Sequence, residues 1–207
     1  MNTYVEKILE YAKRLVEEGL NDDKACISMR ARGGYMYASK VGVELAKLTE
    51  NDIEKVEMAT CKDSEYSLHA NVYINKEESN AIVHIHPKWV NPVAKAGATI
   101  PTVLDDMAQI VGPKCYCAKN EVSSIVKNLK GHNSTLIKED GCITTGRTID
   151  EAYTCVLVLD KACHCFVASS VIGKNVTISF FEAKLMQFVY QKKYSKANQA
   201  NLQIEEE

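Results

Sequence analysis

Two histidines, His84 and His86, stand two residues apart at the end of the apolar run Ala81-Ile82-Val83. Alternate residues of a strand face the same side, so imidazoles at this spacing aim at one point. A transition-metal site asks this of its ligands. Pro87 follows at once and puts the pair at the strand's exit, where α/β sheets gather their active sites. On spacing alone the pair reads equally as metal ligands or as two partly exposed histidines at a strand end.

A third ligand must come from elsewhere. The chain has five histidines, the others being His69, His132 and His164. His132 lies in a Gly131-His132-Asn133 turn. Asp140 lies in a Glu139-Asp140-Gly141 turn between two strands, from which a carboxylate can project into a cleft. Two histidines and a carboxylate are a recognised ligand set for zinc or ferrous iron. Glu65, at the start of a helix, is the candidate acid/base; its other reading is a carboxylate that stabilises a helix N-terminus.

These residues need elements to position them. Thr3-Tyr4-Val5-Glu6 reads as a capping box opening a helix over 3–18. Strands are expected at Ala25–Arg30 and Tyr35–Ser39 around a Gly33-Gly34 turn, and at Ala81–His86. Thr49–Asp52 opens a short helix or turn, and helices are expected over Ser64–Ile74, Trp89–Ala96, Asp105–Val111 and Asn120–Leu129. Strands Ser134–Lys138 and Cys142–Thr145 flank the Asp140-Gly141 turn. A second capping box, Thr148 to Glu151, starts a long helix to about Ser169, and a last helix runs over Ser179–Tyr194. Residues 196–207 read as a polar, frayed tail after a single domain over 1–195. Strands and helices without a strict βαβ rhythm predict an α/β or α+β domain with helices on both sheet faces.

Composition narrows the function classes. The chain has 207 residues, 46% of them hydrophobic, enough for one sizeable core. A net charge of −2 gives no basic excess for nucleic acid or an anionic membrane. No apolar run approaches the ~20 residues of a membrane span, and the N-terminus lacks signal-peptide character, so a cytoplasmic protein is expected. The eight cysteines include Cys115-Tyr116-Cys117 and Cys163-His164-Cys165; their C-x-C spacing favours reduced, buried thiols over a zinc knuckle. Asn133-Ser134-Thr135 and Asn175-Val176-Thr177 match the glycosylation pattern by chance.

The order of pieces resembles the class II aldolase/adducin family. Ser64-Glu65-x₃-His69 precedes Ala81-Ile-Val-His84-Ile-His86, then Ile100-Pro101, then Asp140-Gly141-x₄-Gly146-x₄-Glu151-Ala152. The resemblance runs from about residue 4 to 190. It implies a three-layer α/β/α domain with a central mixed or antiparallel sheet, usually assembled as a homotetramer with active sites between neighbours. It implies Zn²⁺, or another divalent transition metal, on His84 and His86, and Glu65 as the residue that moves a substrate proton. The family's third ligand is the histidine of an Asn-His-Gly turn, where this chain has Asp140.

The phosphate loops of the family fall on Ala25-Cys26-Ile27-Ser28-Met29-Arg30, Ser39-Lys40-Val41-Gly42 and Asp63-Ser64-Glu65. The resemblance thus implies Ser28, Ser39, Lys40, Gly42 and Ser64 as substrate-binding residues. Cys26 replaces the usual asparagine, and Asp63 would repel a phosphate that Lys40 would attract. Asp105 falls near the position from which a neighbouring subunit supplies a polar proton donor, and Tyr190 or Tyr194 near a C-terminal tyrosine that some members use. The implied activity is a metal-dependent aldolase-type lyase, cleaving a hydroxyketone or sugar phosphate through a metal-bound enediolate. The alternatives are epimerase or dehydratase chemistry on the same centre, or a non-catalytic assembly domain like the adducin head.

Overall fold

The computed structural model describes residues 2–61, 64–174 and 177–204, with side chains as far as Lys192. Asp63, Asn175, the Tyr194 side chain and residues 205–207 lie outside that description.

Helix α1 (Thr3–Glu17) buries Val5, Ile8, Ala12 and Leu15, one stripe at helical spacing. Its cap is Asn2, whose side chain accepts from the Tyr4 N–H, and not the expected Thr3. Strands β1 (Cys26–Arg30), β2 (Tyr35–Ser39) and β3 (Ile53–Glu57) follow. Then come α2 (Ser67–Asn75), β4 (Ala81–Ile85), α3 (Val90–Ala96) and the two-residue strands β5 (Ile100–Pro101), β6 (Lys114–Cys115) and β7 (Cys117–Ala118). The chain continues through α4 (Val122–Leu129), β8 (Ser134–Ile137), β9 (Cys142–Gly146), α5 (Ile149–Ile172) and α6 (Phe180–Ile204).

Among the described residues, seven strands form one sheet in the order β3-β2-β1-β4-β9-β8-β7. Only β7–β8 is parallel. Helices α1, α3 and α5 cover one face, where Ile27, Val83 and Ile85 meet Ile8, Val93, Val156 and Leu159. Helices α2 and α4 cover the other, where Ile82 and Ile143 meet Ala70, Tyr73, Ile125 and Leu129. This is the three-layer α/β/α architecture with a central mixed sheet.

Several local expectations are corrected. Strand β3 was not anticipated, because three of its five residues are charged (Glu54, Lys55, Glu57); it is the half-exposed edge of the sheet, where charge is tolerated. Helix α2 starts at Ser67, so Ser64 and Glu65 lie in the turn before it. Residues 107–111 form a π-helical turn closed by Gly112. Helix α6 continues past Tyr194 to Ile204. Helix α5 is, by length and composition, apolar enough to span a membrane, contrary to the expectation of no such run. Part of it serves the core: Ala152, Val156, Leu159 and Cys163 are fully buried, packed with the sheet residues of that face, whereas Val171 and Ile172 are exposed.

Candidate metal centre

His84 shares a sheet face with Ile82, two residues before it, and so points toward the α2 layer. His86 lies one residue beyond the end of β4. Strand β9 pairs antiparallel with β4, Cys142 opposite Ile85, which brings the turn before β9 to the histidines. Asp140 sits in that turn. Its Oδ1 is 3.0 Å from His86 Nε2, and its Oδ2 is 3.6 Å from His84 Nε2. Its backbone carbonyl lies 3.0 Å from His84 Nε2. One donor atom from each of His84, His86 and Asp140 falls within 4.8 Å of the others, and this is the one such metal-capable group among the described residues.

Gly141 makes this approach possible. Its φ is +65°, and a Cβ there would collide with the Ile85 carbonyl and lie 2.8 Å from His86 Cδ2. Any side chain would push the turn off the ring it must touch. Glu139, with φ at 64°, is the other left-handed residue of the turn.

Asp22, in the loop before β1, fixes His86 from behind. Its Oδ2 accepts from both the His86 backbone N–H and Nδ1, each at 2.8 Å. With Nδ1 occupied as a donor, Nε2 is the nitrogen turned toward Asp140. Outer partners of this kind set the tautomer and orientation of ligating histidines. Asp22→Asn is therefore expected to weaken divalent-metal binding by about 10–100-fold while the fold stays intact. A competition titration against a chromophoric chelator measures this; unaltered affinity would remove Asp22 from the centre.

The electrostatics agree. Burial pulls His86 down, but the hydrogen bonds and charges of Asp140 and Asp22 outweigh it and lift its pKa to about 9. Burial pushes Asp140 up, yet the His86 hydrogen bond and the two imidazoles bring it below its ordinary value. Asp22 is lowered in the same way. Burial leaves His84 lowered, against the pull of Asp140. Two carboxylates thus bracket a ring that carries positive charge. A divalent ion would take the place of the Nε2 proton, and the nitrogen–nitrogen–oxygen donor set suits zinc or a similar cation.

The other expected residues are placed differently. Glu65 and Ser64 are exposed, and Ser64 Oγ donates to the Cys61 carbonyl at 2.9 Å. Ser28 and Ser39 lie fully inside the protein. Ser28 Oγ is 2.7 Å from His69 Nδ1 and 2.9 Å from the Tyr73 hydroxyl, and Ser39 Oγ accepts from the Ile27 N–H at 2.9 Å. Lys40 pairs with Glu54 at 3.4 Å, and Gly42, at φ +91°, is exposed and donates its N–H to the Asp23 carbonyl. Asp105 is exposed and accepts from the Asp106 N–H at 2.9 Å. The eight cysteines are free thiols. His164 stacks on Trp89 at 4.0 Å.

Sequence reasoning missed Asp22, and it named His69 as part of a motif without placing it behind His84. Burial draws His69 down to about 3, with the charge of nearby His84 adding to it. It is therefore a neutral ring behind His84, 6.4 Å away between centroids.

Residues 6–167 match the family described as Class II Aldolase and Adducin N-terminal domain. The chain belongs to this family. It is 26% identical over 139 residues to an L-fuculose phosphate aldolase of Methanococcus maripaludis, covering 62% of this chain and 77% of that one. It is also 26% identical over 133 residues to Decarboxylase NovR of Streptomyces niveus, covering 58% of this chain and 47% of the relative. The chain thus spans about half the length of that decarboxylase. Among solved structures, an L-fuculose 1-phosphate aldolase matches with a TM-score of 0.85 at 17% identity, covering 92% of this chain and 97% of that one. This class II aldolase-family chain therefore shares the fold of enzymes that act on small sugar-like molecules, while its relatives differ in the reaction they are named for.

Proposed function

We propose that this chain is a divalent-metal-dependent aldolase-type lyase, with zinc as its metal, acting on a hydroxyketone or a sugar phosphate. The observation that carries this reading is the convergence of His84, His86 and Asp140, with Asp22 orienting His86. A domain kept only for assembly has no need of these four groups, so the centre favours catalysis over an adducin-like role. Relatives named as sugar-phosphate aldolases support the substrate class.

When bound, a divalent ion supplies Lewis acidity that draws electron density from a carbonyl oxygen. The chain's own residues do the rest. His84, His86 and Asp140 hold the centre at the exit of the central strand β4. Cleavage of the carbon–carbon bond sends its electron pair toward the carbonyl and leaves an aldehyde as the other product. Glu65 then delivers a proton to the carbon that received the pair. Asp105 of a second copy takes the proton from the hydroxyl whose carbon becomes the aldehyde, and Lys40, Gly42 and Ser64 stand on the exposed side to meet the substrate's polar end.

Self-association would supply that Asp105. Val171, Ile172 and Phe181 are 84%, 77% and 85% exposed on the last turn of α5 and the first of α6. Such an apolar surface asks for a partner, and a second copy of the chain provides one. Light scattering is expected to give the mass of four chains; a monomer would defeat the shared-site reading.

The central test is metal removal. The purified protein should hold one zinc per chain. Stripping it with a chelator should abolish aldehyde release from a panel of 1-phosphoketoses, and adding zinc back should restore it. Cleavage that survives stripping, or a protein that takes up no metal on reconstitution, would sink the proposal.

A further inference from the structure

The opposite end of the sheet carries a cavity. Ala81 pairs with Gly146 there, while Ile85 pairs with Cys142 at the histidine end. The four steps between Ala81 and Ile85 separate the two ends by about 13 Å at ~3.3 Å per residue. The cavity holds about 300 Å³, at the small end of ligand pockets. Lys76, Ser79, Gln109, Asn133, Arg147 and Gln191 contribute to its lining. None of these residues belongs to the proposed catalytic centre.

Its chemistry is specific. Lys76 is buried and pairs with Glu78 at 2.8 Å. Arg147 grips Glu151 with two nitrogens, at 2.6 Å from Nη2 and 3.1 Å from Nε to Oε1. Both carboxylates also line the cavity, so its charges cancel in two pairs. Three side-chain amides, Gln109, Asn133 and Gln191, share the lining, each both donor and acceptor, and Asn133 Nδ2 donates to the Ile110 carbonyl at 2.9 Å. Ser79 is 1% exposed, and its hydroxyl has no partner among the described residues. Arg30 fixes the turn that presents it, donating to the Ser79 and Lys76 carbonyls at 2.8 and 3.2 Å. A buried polar atom without a partner costs free energy, which a ligand's hydroxyl would recover.

We propose that this cavity binds a neutral, polyhydroxylated molecule of monosaccharide size. An anion would meet Glu78 and Glu151 as well as Lys76 and Arg147, and a lone cation would meet the reverse. A polyol has no charge to satisfy, and each hydroxyl both gives and accepts, as the amides, the ion pairs and Ser79 require. The volume admits one sugar ring and no dinucleotide.

Calorimetric titration with D-xylose and with xylitol tests this, with inorganic phosphate as the contrasting probe. Saturable polyol binding is expected, unchanged after chelator treatment, which separates it from binding at the histidine centre. Gln109→Leu and Gln191→Leu, both outside the catalytic machinery and away from the core, should each weaken it by about tenfold, one lost hydrogen bond. Circular dichroism would confirm that both variants fold. The proposal is overturned by no saturable polyol binding, by tighter binding of phosphate, by binding that disappears with the metal, or by folded variants that bind as the wild type does.

Discussion

Asp140→Ala is expected to lower divalent-metal affinity by more than the about 100-fold upper range for loss of an outer partner. Asp140 is the one carboxylate among the three converging donors. Its removal takes away the oxygen 3.0 Å from His86 Nε2 and the oxygen that accepts from Asn120 at 3.3 Å. The turn itself should survive, because the Asp140 backbone N–H still donates to the Ile137 carbonyl at 3.0 Å, and Gly141 keeps its close approach to Ile85. The loss would therefore fall on the centre and not on the fold. Asp22→Asn should cost less, since it disturbs the orientation of one ligand and leaves all three donors. Chelator-competition titrations of the two variants side by side give the ranking. An Asp140→Ala protein that binds metal as the wild type does would exclude Asp140 as a ligand.

What was legible in the chain follows the range of the interactions. The period of two alone put His84 and His86 together at a strand exit, because strand geometry is local. The Asp140-Gly141 turn was legible for the same reason: glycine after an acidic turn residue marks a left-handed position. Asp22 was not legible. It lies 64 residues from His86 and meets it only because the loop before β1 ends beside the exit of β4. No local pattern encodes that meeting. Ser28 and Ser39 are both buried. A motif resemblance suggested contact with substrate, but β1 lies inside the sheet between β2 and β4, so Ser28 faces the packed α2 layer and bonds His69 and Tyr73. Strand β3 was hidden by its own charges, which an edge strand tolerates and a central strand would not.

Glu65→Gln should lower turnover by about 10²–10⁴-fold while leaving the metal content unchanged. Glu65 stands in the turn before α2, the helix that packs on the face His84 shares. Its charge is felt on that face. Burial pushes the Cys26 thiol up, a hydrogen bond to the Ser39 carbonyl partly offsets this, and the Glu65 charge adds to a rise that ends at about 12. Cys26 lies directly opposite His84 in the β1–β4 register. Burial likewise raises Tyr66, and Glu65 raises it further. The carboxylate thus acts on residues of the α2 face and is not one of the three converging donors. Glutamine keeps the size and the hydrogen-bonding shape but cannot carry a proton to carbon. Turnover measured as aldehyde release, with metal per chain measured on the same preparation, separates the two roles. An unchanged rate would remove Glu65 from the chemistry, and a joint loss of rate and metal would make it a support of the centre and not its proton carrier.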